Sequence, residues 1–395
     1  MVGKQYWPRF IIFLSDLCQK SLVKVVKFLL RTGLFPASLN ALLKPLCHSS
    51  IVSLMILNNV PVIDIAPSFL DLQGKKAVSD SIRVACEDVG FFTITGHGVS
   101  LDEINRTRQA AISFFALDLE EKLKISQPSE KISRGYSKVG ERALAYSLGN
   151  QTLPDLQESF AMGPIDPVPE SLRATRFERF FHMPNIWPNF HHDFRIAMED
   201  YYHRMEELSI HILNLFALSL GLKENFFDDK IGHHTSTMRA IMYGAQTETP
   251  KSGQLRAGEH TDYDMLTILH SDDTSGGLQV RTRKGHWIDV HPIPGSFILN
   301  IGDVMMHWTN DHWVSNLHRV SNPTLNFLKA ERLSLVYFHN PDAEAEIECI
   351  TSFYLNGEKA KYEKINFGEY YLSRHMKAQH MTTNKTIGKT MVEQH

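Results

Sequence analysis

The chain is predicted to be an α+β protein: a double-stranded β-helix (jelly-roll) core flanked by helices, with an amino-terminal α/β region packed on it. Three observations support this. From Thr237 to Pro341 the sequence breaks into short alternating runs parted by Gly, Pro, Asn and Asp turns, a strand pattern that suits two packed sheets. Residues 191–222 carry Met198, Tyr201, Tyr202, Met205, Leu208, Ile212, Leu215 and Phe216 at helical spacing, predicting one long amphipathic helix that buttresses a sheet. Residues 61–175 mix short strand and helix patterns.

Taken in order, residues 1–59 form a basic amphipathic extension. Lys20, Lys24, Lys27 and Arg31 fall on one helical face, while Leu22, Val23, Val26, Leu29 and Leu30 lie largely on the other. A helix so poor in acids suits an organelle-targeting segment or membrane-surface contact. The competing expectation is a start-site artefact, with Met55 as the true start. Residues 60–175 form the amino-terminal region. Within it Ser79–Gly90 and Leu101–Phe115 read as helices and Phe91–Thr95 as a strand. Gly135–Gly163 reads as a turn-rich loop over the active site. Residues 176–233 are helical support, 234–341 the jelly-roll core, and 342–395 a polar helical tail that becomes disordered near its end.

Composition bounds the function. With 395 residues and 43% hydrophobic content, the chain is ample for one large globular domain. A net charge of -3 argues against nucleic-acid binding through bulk positive charge. No apolar run approaches the roughly 18 residues of a membrane span. Cys18, Cys47, Cys86 and Cys349 are scattered without a CxxC pair, as in a reducing compartment. A cytoplasmic monomer is expected, with a mitochondrial or membrane-associated location if residues 1–54 are genuine.

The chemistry lies in a spaced set. Among 20 His, three His-x-Asp triplets occur: His191-His-Asp193, His260-Thr-Asp262 and His270-Ser-Asp272. The first opens the long helix and the third runs into a turn. Only the second sits in an alternating stretch, Glu259–Leu269, that reads as one strand. There residues i and i+2 share a face about 6.6 Å apart, so His260 and Asp262 can converge on one metal. His318 follows in a strand-like run, Val314–Val320, and Arg332 and Ser334 share a face of another, Arg332–Phe338. Alone, His318 reads more readily as a core histidine and Arg332 as a surface salt bridge. In this order they form a two-His, one-carboxylate Fe(II) ligand set with a cation and a hydroxyl placed for a small carboxylate. Tyr243, on the strand Thr237–Gly244, adds a hydroxyl to that anion or serves as a core tyrosine.

These residues resemble the iron- and 2-oxoglutarate-dependent dioxygenases of the isopenicillin N synthase type over roughly Val60–Pro341. Supporting segments are Val60-Pro-Val-Ile-Asp64, Gly90–Gly98, Arg134-Gly-Tyr136, Asp155–Phe160, Gly276–Val280 and Asn300-Ile-Gly-Asp303. The resemblance implies Fe(II) held by His260, Asp262 and His318. It also implies 2-oxoglutarate chelating that metal with its far carboxylate on Arg332 and Ser334, and O2 as co-substrate, with ascorbate as a further requirement in some members. Oxidation of a small organic molecule would then release succinate and CO2. An alternative is open, because isopenicillin N synthase and aminocyclopropanecarboxylate oxidase carry a similar Arg-x-Ser pair without consuming 2-oxoglutarate. Arg134, Phe160 and Phe338 are candidate substrate contacts, against packing or surface roles for each. Asn300-Ile-Gly-Asp303 reads as a tight turn between strands, His97 as turn geometry, and Trp308 and Trp313 as packing.

Overall fold

The computed structural model describes residues 60–378 apart from 129–131, 151, 167–174, 176, 190–191, 247, 275 and 355–358. The basic extension, His191 and the end of the tail lie outside the described residues. The amino-terminal part contributes β1 (Val62–Asp64), α1 (Leu72–Asp88), β2 (Phe91–Thr95), α2 (Leu101–Phe115) and α3 (Leu119–Leu123). Next come β3 (Gly135–Ser137), β4 (Glu158–Met162), α4 (Glu178–Phe181) and α5 (His192–Ser219). The core holds β5 (Thr237–Tyr243), β6 (Ala257–His260), β7 (Leu266–Ser271), β8 (Leu278–Arg281), β9 (Trp287–Asp289) and β10 (Phe297–Ile301). It continues with α6 (Asp303–Trp308), β11 (His318–Val320) and β12 (Arg332–His339). A two-stranded pair, β13 (Glu346–Ile347) and β14 (Ile365–Asn366), leads into α7, residues 367–378.

Local signals explain the helix starts. Asp71 caps α1 by accepting from the Gly74 amide at 2.7 Å. Ser100 and Glu103 form a reciprocal capping box at α2, worth about 1 kcal/mol. The α1 helix begins seven residues before the predicted Ser79 because that cap, not the apolar periodicity, sets its start.

Among the described residues, two sheets form the core. The large one has the order β1-β2-β10-β7-β12-β5-β4-β3, and the small one β6-β11-β8-β9. Among the described strands only β1 and β2 form a parallel pair, beside one isolated parallel bridge between Ser126 and Tyr136. Strand alternation divides the large sheet into two faces. From β12, Leu333, Leu335 and Tyr337 join the main apolar core with Met198, Tyr202 and Met205 of α5. Arg332, Ser334, Val336 and Phe338 point the other way, into a cavity between the sheets. On β5, Met238, Ala240 and Met242 face the helix side, while Thr237, Arg239, Ile241 and Tyr243 face the cavity. The long helix is therefore the predicted buttress, with α1 and α2 packed against it. No helix among the described residues is long and apolar enough to cross a membrane.

Three local expectations are corrected. Gly135–Gly163 is not simply a loop: β3 and β4 extend the large sheet, with a 3-10 turn at Leu144–Leu148 between them. Glu259–Leu269 is not one strand. The chain leaves the small sheet after His260 and joins the large sheet at Leu266, so Asp262 lies in the crossing loop. Asn300–Asp303 does not link two strands: Asn300 belongs to β10 and Asp303 begins α6. Gly302 is required there, because a Cβ would sit 2.2 Å from Asp264 Oδ1.

Candidate metal centre and active-site cavity

His260 ends β6, and His318, which begins β11, is its direct cross-strand partner. Their rings lie 4.2 Å apart between centroids. Asp262 reaches the same point from the crossing loop. Its Oδ1 lies 3.9 Å from His260 Nε2 and 3.7 Å from His318 Nε2. Among the described residues, this is the cluster of three metal-type side chains whose ligand atoms all lie within 4.8 Å of one another.

The surroundings aim each ligand. His260 Nδ1 meets the Gly258 carbonyl at 2.7 Å, and His318 Nδ1 meets the Asn316 carbonyl at 3.1 Å. With Nδ1 donating to a carbonyl, each Nε2 lone pair faces the centre. Asp262 Oδ2 accepts from the Thr267 hydroxyl at 2.6 Å and from Asn300 Nδ2 at 2.7 Å, which leaves Oδ1 for a metal. Burial lowers the His260 pKa, reinforced by His318, and so favours the neutral, ligating imidazole. Burial would raise the Asp262 pKa, but the hydrogen bonds donated by Thr267 and Asn300 favour the charged form and help keep the carboxylate ionised. Two imidazoles and one carboxylate on one side of a divalent ion suit Fe(II), with positions left for other ligands.

The cavity, of about 140 Å³, extends from this centre in two directions. One wall carries Arg332, Ser334 and Tyr243, with Arg332 and Tyr243 directly paired across β12 and β5. Arg332 is buried, its Nη1 donates to the Asp272 carbonyl, and its Nε has no partner among the described residues. Burial lowers its pKa from the usual arginine value. Asp272, which belongs to the discounted third triplet, also accepts from the Leu333 amide at 3.0 Å and pairs with Arg108. It thus braces the strand that presents Arg332. Ser334 Oγ shares a 2.7 Å hydrogen bond with Ser271 Oγ across the sheet.

The other wall carries Arg142, Gln157, Ser159, Arg239, Phe338, Tyr371 and His375. Phe338 is thus at the cavity, with the Arg239 guanidinium 5.7 Å from its ring centroid. Phe160 is not. On β4 its neighbour Ser159 faces the cavity, so Phe160 faces the helix-side core, where it packs on Phe114, Trp187 and Phe194. Arg134 does not line this cavity either. It is buried beside Gly163, donating to the Ser133 carbonyl at 2.8 Å and the Phe181 carbonyl at 2.6 Å. A Cβ at Gly163 would fall 1.7 Å from Arg134 Nη2. Arg134 therefore ties backbone segments together.

Sequence reasoning missed Arg239, Arg142, Asn300 and Thr267. Arg239 had a signal: it sits four residues before Tyr243 on one strand and so shares its face. Asn300 had only its place in a motif read as a turn. His97 is held as a packing residue by the Gly295 carbonyl at 2.8 Å and the Phe297 ring, and Trp308 and Trp313 are buried in the core.

Two family models match the chain. The non-haem dioxygenase in morphine synthesis N-terminal model matches residues 60–190, and the 2OG-Fe(II) oxygenase superfamily model matches residues 234–341. Homoarginine-6-hydroxylase 2-ODD-233 of rice, Oryza sativa subsp. japonica, is 31% identical over 80% of this chain and 96% of its own. The 2-oxoglutarate-Fe(II) type oxidoreductase hxnY of Emericella nidulans is 32% identical over 77% and 86%. A full-length Neurospora crassa protein, crystallised in complex with alpha-KG, superposes with a TM-score of 0.70 at 30% identity, covering 80% of this chain and 95% of that one. The same Neurospora protein has also been crystallised with alpha-KG and thymine, at a TM-score of 0.70, 29% identity and coverage of 80% and 96%.

Proposed function

Because the chain belongs to the 2-oxoglutarate–Fe(II) oxygenase superfamily, we propose roles for its cavity residues and a chemical class for its substrate. The protein is an Fe(II)- and 2-oxoglutarate-dependent oxidoreductase that acts on a small organic molecule. In our reading, His260, Asp262 and His318 hold the iron, while Arg332, Ser334 and Tyr243 hold the far carboxylate of 2-oxoglutarate. Iron held there would supply the oxidant from O2 and 2-oxoglutarate, with succinate and CO2 as the released products. The chain's own part is to orient. Thr267 and Asn300 fix one carboxylate oxygen of Asp262, and the carbonyls of Gly258 and Asn316 fix the two rings. A buried guanidinium with a free Nε–H beside a tyrosine and a serine hydroxyl is a ready clamp for a carboxylate, because charge-assisted bonds there are roughly twice as strong as neutral ones.

The prime substrate is a small molecule that presents a carboxylate or similar planar oxygen acceptor to Arg142 and Arg239. The observation that carries this is their lack of a directly paired carboxylate. Among the described residues neither has a carboxylate within ion-pair distance, and each has a buried Nε without a partner. Arg239 Nη2 donates to Ser133 Oγ at 2.8 Å, and among the described residues Arg142 Nη2 donates to Gln127 Oε1 at a long 3.4 Å. Burial, then the charge of Arg239, pushes the Arg142 pKa down to about 9. Two buried cations without a direct ion pair are costly unless a ligand supplies the acceptor. Homoarginine and thymine, named for the relatives, both offer planar oxygen acceptors. Phe338 and Val336 supply the apolar contact beside them.

The test is a screen of small carboxylic acids and cyclic imides for succinate released above the no-substrate background. For a substrate so found, Arg239→Gln and Arg142→Gln should raise its KM about ten-fold or more while the KM for 2-oxoglutarate stays put. Preference for a hydrocarbon-like substrate, indifferent to both changes, would sink the assignment.

A further inference from the structure

We propose that Arg374 and Tyr370 are positioning residues that lock α7 onto the loop carrying Asp262, with Asp303 as the joint. The inference rests on the proposed metal centre only for what that loop holds. The helix has two working faces. Tyr371, His375 and Ala378, at i, i+4 and i+7, line the substrate side of the cavity. Tyr370 and Arg374, also i and i+4, turn to the adjacent side and meet Asp303. The Tyr370 hydroxyl donates to Asp303 Oδ2 at 2.7 Å. Arg374 Nη2 lies 3.3 Å from the same oxygen and donates to Thr261 Oγ1 at 3.1 Å. Its guanidinium also stands 4.7 Å from the ring centroid of Tyr263. Thr261 and Tyr263 flank Asp262, so the crossing loop turns its carboxylate inward and grips the helix with its two neighbours.

Asp303 joins more than these. Its amide donates to the Asp262 carbonyl at 2.8 Å, and its Oδ1 accepts from Ser315 Oγ at 2.6 Å, three residues before His318. One buried carboxylate thereby connects α7, the Asp262 loop and the segment leading to His318. An isolated helix of about twelve residues is marginal in water, so α7 depends on its anchors. Phe367 and Tyr371 pack on Phe181 and hold its first half. Arg374 holds the second half, where His375 and Ala378 reach the cavity. Removing Arg374 takes the charged donor from the buried Asp303 carboxylate, which keeps only the neutral donors Tyr370 and Thr261 on that oxygen, so the loss falls on loop and helix together. Through this joint, an ordered metal-ligand loop and a seated substrate wall favour each other.

Hydrogen exchange on the full chain, with and without Mn(II) as a redox-silent probe, tests this. In the metal-free protein, Arg374→Gln and Tyr370→Phe should speed exchange across residues 371–378 by about ten-fold, with Arg374→Lys restoring part of the protection and Lys377→Gln changing nothing. In the wild type, Mn(II) should slow exchange in residues 260–264 and 371–378 together. In Arg374→Gln, Mn(II) should still protect the loop but no longer the helix. Wild-type exchange in the metal-free Arg374→Gln helix, or Mn(II) protection of the helix persisting in that variant, overturns the proposal. A wild type that binds no Mn(II) contradicts the metal-centre reading instead, and the metal-free comparison still decides the role of Arg374.

Discussion

Asp262 carries one charge and two oxygens, and its neighbours decide which oxygen is offered. Thr267 and Asn300 occupy Oδ2, so Oδ1 is presented without rotamer search. Partners of this kind are typically worth 10–100-fold in metal affinity. Thr267→Val and Asn300→Ala should each weaken Mn(II) binding by about 10-fold or more, measured by calorimetric titration, with little change in the far-ultraviolet spectrum. Unchanged affinity in both would mean that the carboxylate needs no such aim. The place of His260, His318, Arg332 and Ser334 at the candidate site was legible in the sequence from residue type and order, and for Arg332 and Ser334 also from a two-residue spacing that holds within β12. Thr267, Asn300 and Asp272 were not, because each acts through a ligand or clamp residue and belongs to a common polar type.

Which way a strand turns its side chains separates stability from function. Phe160 and Phe338 are both large aromatic residues in strands, but β4 turns Phe160 toward α5 and β12 turns Phe338 toward the cavity. Phe160→Ala should cost about 3–5 kcal/mol in denaturant unfolding and leave the KM for the prime substrate within about two-fold. Phe338→Ala should do the reverse. If both variants lost stability equally with KM unchanged, the assignment of the two faces would be wrong. Alternation within β12 could be read directly, since Arg332, Ser334, Val336 and Phe338 contrast with Leu333, Leu335 and Tyr337. In β4 the strand itself went unseen, because its pairing with β5 is a contact across about 80 residues and its short run lies in turn-rich sequence. The crossing at Asp262 was hidden for a related reason: period-two alternation continues through a stretch where the chain changes sheets. The helical period of α5 was plain over seven turns, and its long apolar face could only be a buttress.

At the scale of the molecule, the active site exists only because two sheets close on each other. The small sheet and its crossing loop bring His260, His318 and Asp262, while the large sheet brings Arg332, Ser334 and Tyr243. In the proposed reading, 2-oxoglutarate would engage both halves, the metal ligands at one end and Arg332 at the other. On that reading, metal and clamp should contribute jointly to its affinity. The deciding measurement is anaerobic calorimetric titration of 2-oxoglutarate into wild type and Arg332→Ala, each with and without Fe(II). Binding to wild type should require Fe(II), and its affinity should fall about ten-fold or more in Arg332→Ala, whose own Fe(II) affinity is unchanged. Equal 2-oxoglutarate binding with and without iron, or full affinity in Arg332→Ala, would contradict a site built across the two sheets.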